Sequence, residues 1–100
     1  MSYIEEIKEK ITPLLKLNDV EFAGIFGSYA REENRPESDL DILVRFSKPK
    51  SLFDLVGLEM EISDRLGRKA DVVTEKYLHP YLHSQVSKDL KILYGQRRYI

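Results

Sequence analysis

"GSYAREENRPESDLDILVRF", residues 27–46, sets two acids, Asp39 and Asp41, one residue apart at the mouth of an apolar strand and shortly after a Gly-Ser turn. From Asp39 onward the stretch alternates, so that Leu40, Ile42, Val44 and Phe46 share one face while Asp39, Asp41, Leu43 and Arg45 share the other. One face is therefore read as core. Residues i and i+2 of a strand lie roughly 6.5 to 7 Å apart, which lets the two carboxylates converge on one point in front of the sheet. At about 6 Å and an effective dielectric of about 20, their repulsion is on the order of 3 kcal/mol, a large share of a small domain's stability. Such a pair calls for a neutralising partner.

Working outward, "VEFAGIF" at 20–26 has the β-branched and aromatic content of a strand ending at Gly27. Ahead of it, Ile4, Ile7, Ile11, Leu14 and Leu15 mark one face of an amphipathic helix opened by a capping box of Ser2 and Glu5. Pro13 is expected to kink that helix or limit its last turn, and Asn18-Asp19 is a turn signal. Between the first two strands, Tyr29 to Glu33 is expected to form a short helix that breaks before Pro36. Downstream, Ser51 is a candidate N-cap with Asp54 at the third helical position, and Leu55, Leu58, Ile62 and Leu66 line one side of the longest helix until Gly67. "KADVVT" at 69–74 reads as a third strand. Pro80 then opens a last helical segment carrying Leu82, Val86, Leu90 and Leu93 and ending at Gly95. The order α-β-(α)-β-α-β-α predicts an α/β (α+β) chain in which helices pack against a small sheet; parallel and mixed pairing remain open at this point.

A chain of 100 residues suits one domain spanning 1–100, since two cores would each be too small. Hydrophobic residues at 42% and charged residues at 33% fit a globular chain. With a net charge of −1 and the two signs interspersed, no long-range field draws it to nucleic acid or anionic lipid. The absence of cysteine removes disulfides, thiolate metal sites and cysteine nucleophiles. No apolar run approaches the roughly 20 residues of a spanning helix, and "MSYIEEIKEK" lacks the apolar core of a signal peptide, so a cytoplasmic location is expected.

The chemistry follows from the acids. A divalent cation would neutralise Asp39 and Asp41, and an all-oxygen set with no nearby His or Cys favours Mg²⁺ or Mn²⁺ over zinc. A lone D-x-D more often marks a solvated strand end, so the pair does not decide the matter alone. Gly27-Ser28, after a strand and before a helical turn, is where free amides form an anion nest, although Gly-Ser is also an ordinary turn dipeptide. Arg31, about one turn further on, would reach a phosphate there, or equally stand as a plain surface arginine. Asp71 begins the third strand as Asp39 begins the second: it is either a third ligand or a strand-end acid. Three carboxylates can hold two metals about 3.5 to 4 Å apart. A phosphate cradle facing such acids is the equipment of phosphoryl or nucleotidyl transfer.

Gly27-Ser28, ten intervening residues, "DLD" at 39–41 and "ADVV" containing Asp71 together resemble the minimal nucleotidyltransferase (MNT) group of the DNA polymerase beta-like superfamily. The likeness extends through "IFGSYAR", "SDLDILVRF", "SLFDLVGLEMEISDRLGRKADVVT" and "LHPYLHSQVSKDLKILYG". The resemblance implies the nucleotidyltransferase fold, with a small mixed sheet of three to four strands. It also implies a transferase using ATP and a pair of Mg²⁺ ions held by Asp39, Asp41 and Asp71, with Asp71 helping to activate the acceptor hydroxyl and Gly27, Ser28 and Arg31 on the nucleotide. Stand-alone relatives are similar to the antitoxin halves of HEPN/MNT toxin-antitoxin pairs, which attach AMP to a tyrosine of the HEPN toxin. The chain departs from the family pattern at Glu32, where many relatives carry glycine, and a carboxylate there is expected to oppose nucleotide phosphates.

Size points to a protein acceptor as well, because little chain remains to enclose a small one. Tyr77, Tyr81, Tyr94 and Tyr99 are candidates for a protein contact or for packing with exposed hydroxyls. His79 and His83 are read as surface or partly buried residues rather than ligands, since Pro80 lies between them and no third ligand is at hand. The expectation is an AMP-transferring antitoxin with a HEPN partner, ATP as substrate, no direct nucleic-acid or membrane binding, and oligomerisation left open. The alternative is a non-catalytic antitoxin that occludes the toxin. A third reading, transfer to a small alcohol, would require a further helical domain or a dimer cleft.

Overall fold

Seven residues of the alternating stretch, Leu40–Phe46, form an inner strand of the sheet in the computed structural model, which describes residues 3–96. The elements are α1 (Tyr3–Leu17), β1 (Val20–Phe26), β2 (Leu40–Phe46), α2 (Leu52–Leu66), β3 (Ala70–Thr74), a 3-10 turn at Glu75–Tyr77, α3 (Pro80–Asp89) and β4 (Lys91–Gly95). They build one four-stranded mixed sheet in the order β3-β2-β1-β4. β1 runs antiparallel to β2 and β4, whereas β2 and β3 are parallel and joined through α2. The expected cap at Ser2 and the contact proposed for Tyr99 lie outside the described residues.

Alternation places the core. Leu40, Ile42 and Val44 of β2, Ala70 and Val72 of β3, and Ala23 and Ile25 of β1 are buried with Ile7, Ile11, Leu14 and Leu15 of α1 and Leu55, Leu58 and Ile62 of α2. The opposite face was not expected to be core, yet Phe22 and Leu43 are 0% and 1% exposed there, beneath Leu78, Val86 and Leu90. α3 supplies this second layer. Gly24 lets it approach, since a Cβ at that position would fall 2.7 Å from Leu90 Cδ1. The acids of β2 and β3 lie on this α3 side, at the end of the sheet where β2 and β3 begin.

The ends of α2 follow the sequence closely. Ser51 accepts from the Asp54 amide, the Asp54 carboxylate accepts from the Ser51 amide, and Gly67 closes the helix at φ 68°. That helix also shields the outer edge of β3: Glu59 Oε2 accepts from Val72 N at 2.8 Å and Ser63 Oγ from Ala70 N at 3.0 Å. α1 continues past Pro13 to Leu17 rather than stopping there. Among the described residues, no helix is long and apolar enough to cross a membrane.

Two expectations are corrected. The last helix does not run to Gly95; it ends at Asp89, and Lys91–Gly95 becomes β4 against β1. Leu90 and Leu93 do lie at helical spacing from Val86, but the buried β1 would otherwise keep an open row of backbone groups, and pairing with β4 satisfies it. Leu93 is buried on the α1 side, while Leu82 is about half exposed. The segment from Tyr29 to Glu33 is one closed turn, not a helix: Glu33 N donates to Ser28 O at 2.8 Å and Glu32 N to Tyr29 O at 3.2 Å. This is the Schellman pattern, with Glu32 at φ 60° in its left-handed position.

That conformation gives the glycine preference at this position a backbone reason. An L-residue there is strained, so Glu32→Gly should raise unfolding stability by about 0.5 to 1 kcal/mol. Urea unfolding of the two proteins at one pH checks this, and an unchanged or lower midpoint would refute the strain argument.

Candidate active site

Register brings the acids together. In the parallel pair, Asp41 lies opposite Asp71, and Leu40 N donates to Lys69 O at 3.0 Å, locking the start of β2 to the start of β3. Asp39 sits just before β2, on the same end. In the antiparallel pair, Asp41 lies opposite Phe26, and the next residue, Gly27, turns the chain at φ 77°. A Cβ on Gly27 would land on Asp41 Oδ2, so only glycine admits the carboxylate here.

The electrostatics confirm the proximity. Asp41 is raised to about 6 from an ordinary 3.8, first by burial and then by the charges of Asp71 and Asp39, with Arg31 acting against them. Asp71 is raised as well, by burial first and then by Asp39, with Lys69 opposing. Lys69 Nζ stands 3.6 Å from Asp39 Oδ2, an exposed pairing that offsets only part of the charge. As the side chains stand, no three His, Cys, Asp or Glu side chains among the described residues form a group able to hold a metal ion. The donor chemistry nevertheless fits a hard divalent cation: three carboxylates on neighbouring backbone positions, with Asp41 and Asp71 raised by burial and by the charges around them.

Gly27 and Ser28 begin the one-turn segment beside these acids. The bonds that close this turn are donated by Arg31, Glu32 and Glu33, so the amides of Ser28, Tyr29 and Ala30 take no part in them. Arg31 is less free than its sequence position suggests. Its Nη1 lies 2.6 Å from Asp89 Oδ2 and its Nε lies 3.2 Å from Glu33 Oε1. On the α1 side, burial and then the charge of Glu32 raise the Tyr3 hydroxyl pKa. Behind the turn, a cavity of about 270 Å³ is lined by Tyr3, Lys10, Tyr29, Asn34 and Arg68 on the α1 and α2 side. Arg68 donates to the Tyr29 hydroxyl and stacks over its ring, while Tyr3 donates to the Tyr29 carbonyl, so the turn is anchored from beneath.

The other candidates take structural positions. His79 caps α3, its Nδ1 accepting from Tyr81 N at 3.2 Å, and the two rings stack. His83 Nε2 lies 3.3 Å from Leu78 O. Tyr77 and Tyr81 are exposed, whereas Tyr94 packs partly against the α1 and α2 core. Sequence reasoning missed Lys69, Gln85 and Asp89. Of these, Asp89 carries a signal in hindsight: an acid in the last turn of a helix opposes the macrodipole and needs a partner.

A four-stranded mixed sheet with acids at the starts of β2 and β3 beside a Gly-Ser turn is the layout of a nucleotidyltransferase-type domain, and comparison with known proteins shows the family. The chain belongs to the polymerase beta nucleotidyltransferase family, which it matches over residues 9–99. A Methanocaldococcus jannaschii protein named "Putative protein adenylyltransferase MJ0435" is 49% identical over 83 residues, covering 83% of this chain and 89% of that one. Protein adenylyltransferase MntA of Thermococcus cleftensis is 33% identical over 94 residues, covering 90% and 95%. Among solved structures, a chain from a toxin-antitoxin complex with AMP-PNP superposes with a TM-score of 0.78 at 26% identity, covering 90% of this chain and 74% of that one.

Ionisation of Asp41 opposes folding. Its folded pKa of about 6 exceeds the unfolded 3.8, so stability falls as pH rises across that window and stays lower above it. Asp41→Asn should therefore be more stable than the parent at pH 8, by on the order of 1 kcal/mol once solvent screening is allowed for, with the gain shrinking toward pH 4. Chemical unfolding at both values measures the difference, and an equal effect at both would show that burial and like charges do not govern this carboxylate.

Proposed function

We propose that this protein is a Mg²⁺-dependent protein adenylyltransferase that moves AMP from ATP to a tyrosine hydroxyl of a HEPN toxin partner and so acts as its antitoxin. The observation that carries the reading is the register of β2 and β3, which sets Asp41 against Asp71 with Asp39 on the same end, beside the Gly27-Ser28 turn. The names of its relatives and the nucleotide analogue in the toxin-antitoxin structure support the same class of reaction and partner.

Asp39, Asp41 and Asp71 would hold the metal, which supplies charge neutralisation and polarises the oxygens bound to it. The backbone at Gly27 and Ser28 would seat the triphosphate, with Arg31 offering its remaining N–H groups to phosphate oxygens. In the transfer itself, the acceptor hydroxyl oxygen bonds to the α-phosphorus as the bond to pyrophosphate breaks. The hydroxyl proton passes to the Asp71 carboxylate. Pyrophosphate leaves with the electron pair of the broken bond.

The alternative, occlusion without catalysis, rests on Glu32, which stands in the left-handed position of the turn that would seat the phosphates. Incubation with labelled ATP, Mg²⁺ and the HEPN protein encoded beside it should label that protein. The double variant Asp39→Asn, Asp41→Asn should remain folded and lose at least about a hundredfold in labelling rate, on the scale of removing a charge-stabilising group. Labelling that persists in the double variant would sink the assignment, and protection of cells without any ATP binding would establish the occluding alternative.

A further inference from the structure

Arg31 and Asp89 are 58 residues apart in sequence and meet only because α3 returns across the sheet and ends beside the Gly27 turn. Their contact is short, 2.6 Å between Nη1 and Oδ2, and the Asp89 side chain is only 9% exposed against 39% for Arg31. Shielding on the Asp89 side reduces the solvent competition that makes surface ion pairs weak. Gln85, one turn earlier on α3, donates from Nε2 to the other Asp89 oxygen at 3.0 Å, which orients the carboxylate. The acid also stands in the last turn of α3, where the helix dipole disfavours negative charge, so its placement has a cost that the guanidinium offsets.

An arginine on an exposed turn ordinarily samples many rotamers, and a flexible side chain loses that freedom when it binds a ligand. Here the loss is taken on folding. Nε is engaged by Glu33 and one Nη1 hydrogen by Asp89, while Nη2 has no partner among the hydrogen bonds described for it. The backbone of Arg31 closes the same turn, its N donating to Gly27 O at 3.1 Å, so the guanidinium is tethered beside Gly27.

We propose that Asp89, oriented by Gln85, is a positioning residue that holds the Arg31 guanidinium over the Gly27-Ser28 turn with its open edge toward a nucleotide phosphate. This rests on the transferase reading and adds to it a role for the end of α3, which contributes no acid to the site. Glu33 steadies the other side of the same guanidinium but is largely exposed, so Asp89 is the dominant restraint.

Two measurements on the intact chain test the idea. In the parent, the Arg31 Nη1–H resonance, which reads the Asp89 contact, should be shifted from the free-arginine position and slow to exchange. In Asp89→Asn it should collapse toward that position. Affinity for ATP with Mg²⁺, by calorimetry, should fall on the order of tenfold in Asp89→Asn, and about threefold in Gln85→Ala, which keeps the carboxylate but frees it. In an Arg31→Ala background, Asp89→Asn should cause no further loss, and Asp89→Glu should recover part of the affinity in the parent background. An unmoved Arg31 resonance, an unchanged affinity, or an equal loss with and without Arg31 overturns the proposal. Should Asp89→Asn fail to fold, Gln85→Ala carries the comparison. A parent that binds no ATP at all would overturn the transferase reading itself, whereas a parent and an Asp89→Asn variant that bind equally well would overturn only the positioning role.

Discussion

The parallel pairing of β2 with β3 is the constraint on which the site depends, because it holds Asp41 and Asp71 side by side although their charges repel. The register cannot slip by one residue without turning Leu40, Ile42 and Val44 out of a core in which each is fully buried. Burying three such side chains contributes several kcal/mol, more than the repulsion between partly solvated carboxylates removes. Hydrophobic alternation thus pins charged groups where they would not settle by themselves.

A second requirement is close approach within β1 and just after it. Gly27 makes room for Asp41, and Gly24 makes room for Leu90 beneath α3. These two glycines differ from Glu32, where the backbone takes a left-handed conformation with a side chain attached. The turn tolerates that strain because it is tied down on both sides. Its own carbonyls close it, and Tyr29 is gripped from below by Tyr3 and Arg68. A phosphate seat built on a single turn would otherwise be mobile, and mobility there would be costly for a reaction that depends on positioning.

The acids and the turn come from adjoining ends of β1, β2 and β3, all on the side of the sheet that α3 covers. The last turn of α3 closes on Arg31. Stability and the proposed chemistry pull in opposite directions at Asp41: the carboxylate that weakens the fold is one of the three that the proposed transfer needs. This trade-off is affordable in so small a chain because apolar layers cover both faces of the sheet.

Much of this was legible in the residues themselves. Alternation in 40–46, the Ser51 and Asp54 cap, the Gly67 stop and the spacing of Gly27-Ser28 from Asp39 and Asp41 are local patterns, and local backbone geometry realises them directly. The short range of those signals is also their limit. Whether Lys91–Gly95 continues a helix or becomes a strand depends on the open edge of β1, which no neighbouring residue announces. Likewise, the pairing of Asp41 with Asp71 and of Arg31 with Asp89 joins segments 30 and 58 residues apart (71 − 41 and 89 − 31). By itself, then, the sequence determined which residues could carry charge to a phosphate and which face of each element would be apolar. Only the tertiary structure decided which charges meet, because strand register and the return of α3 are set by burial summed over the whole sheet.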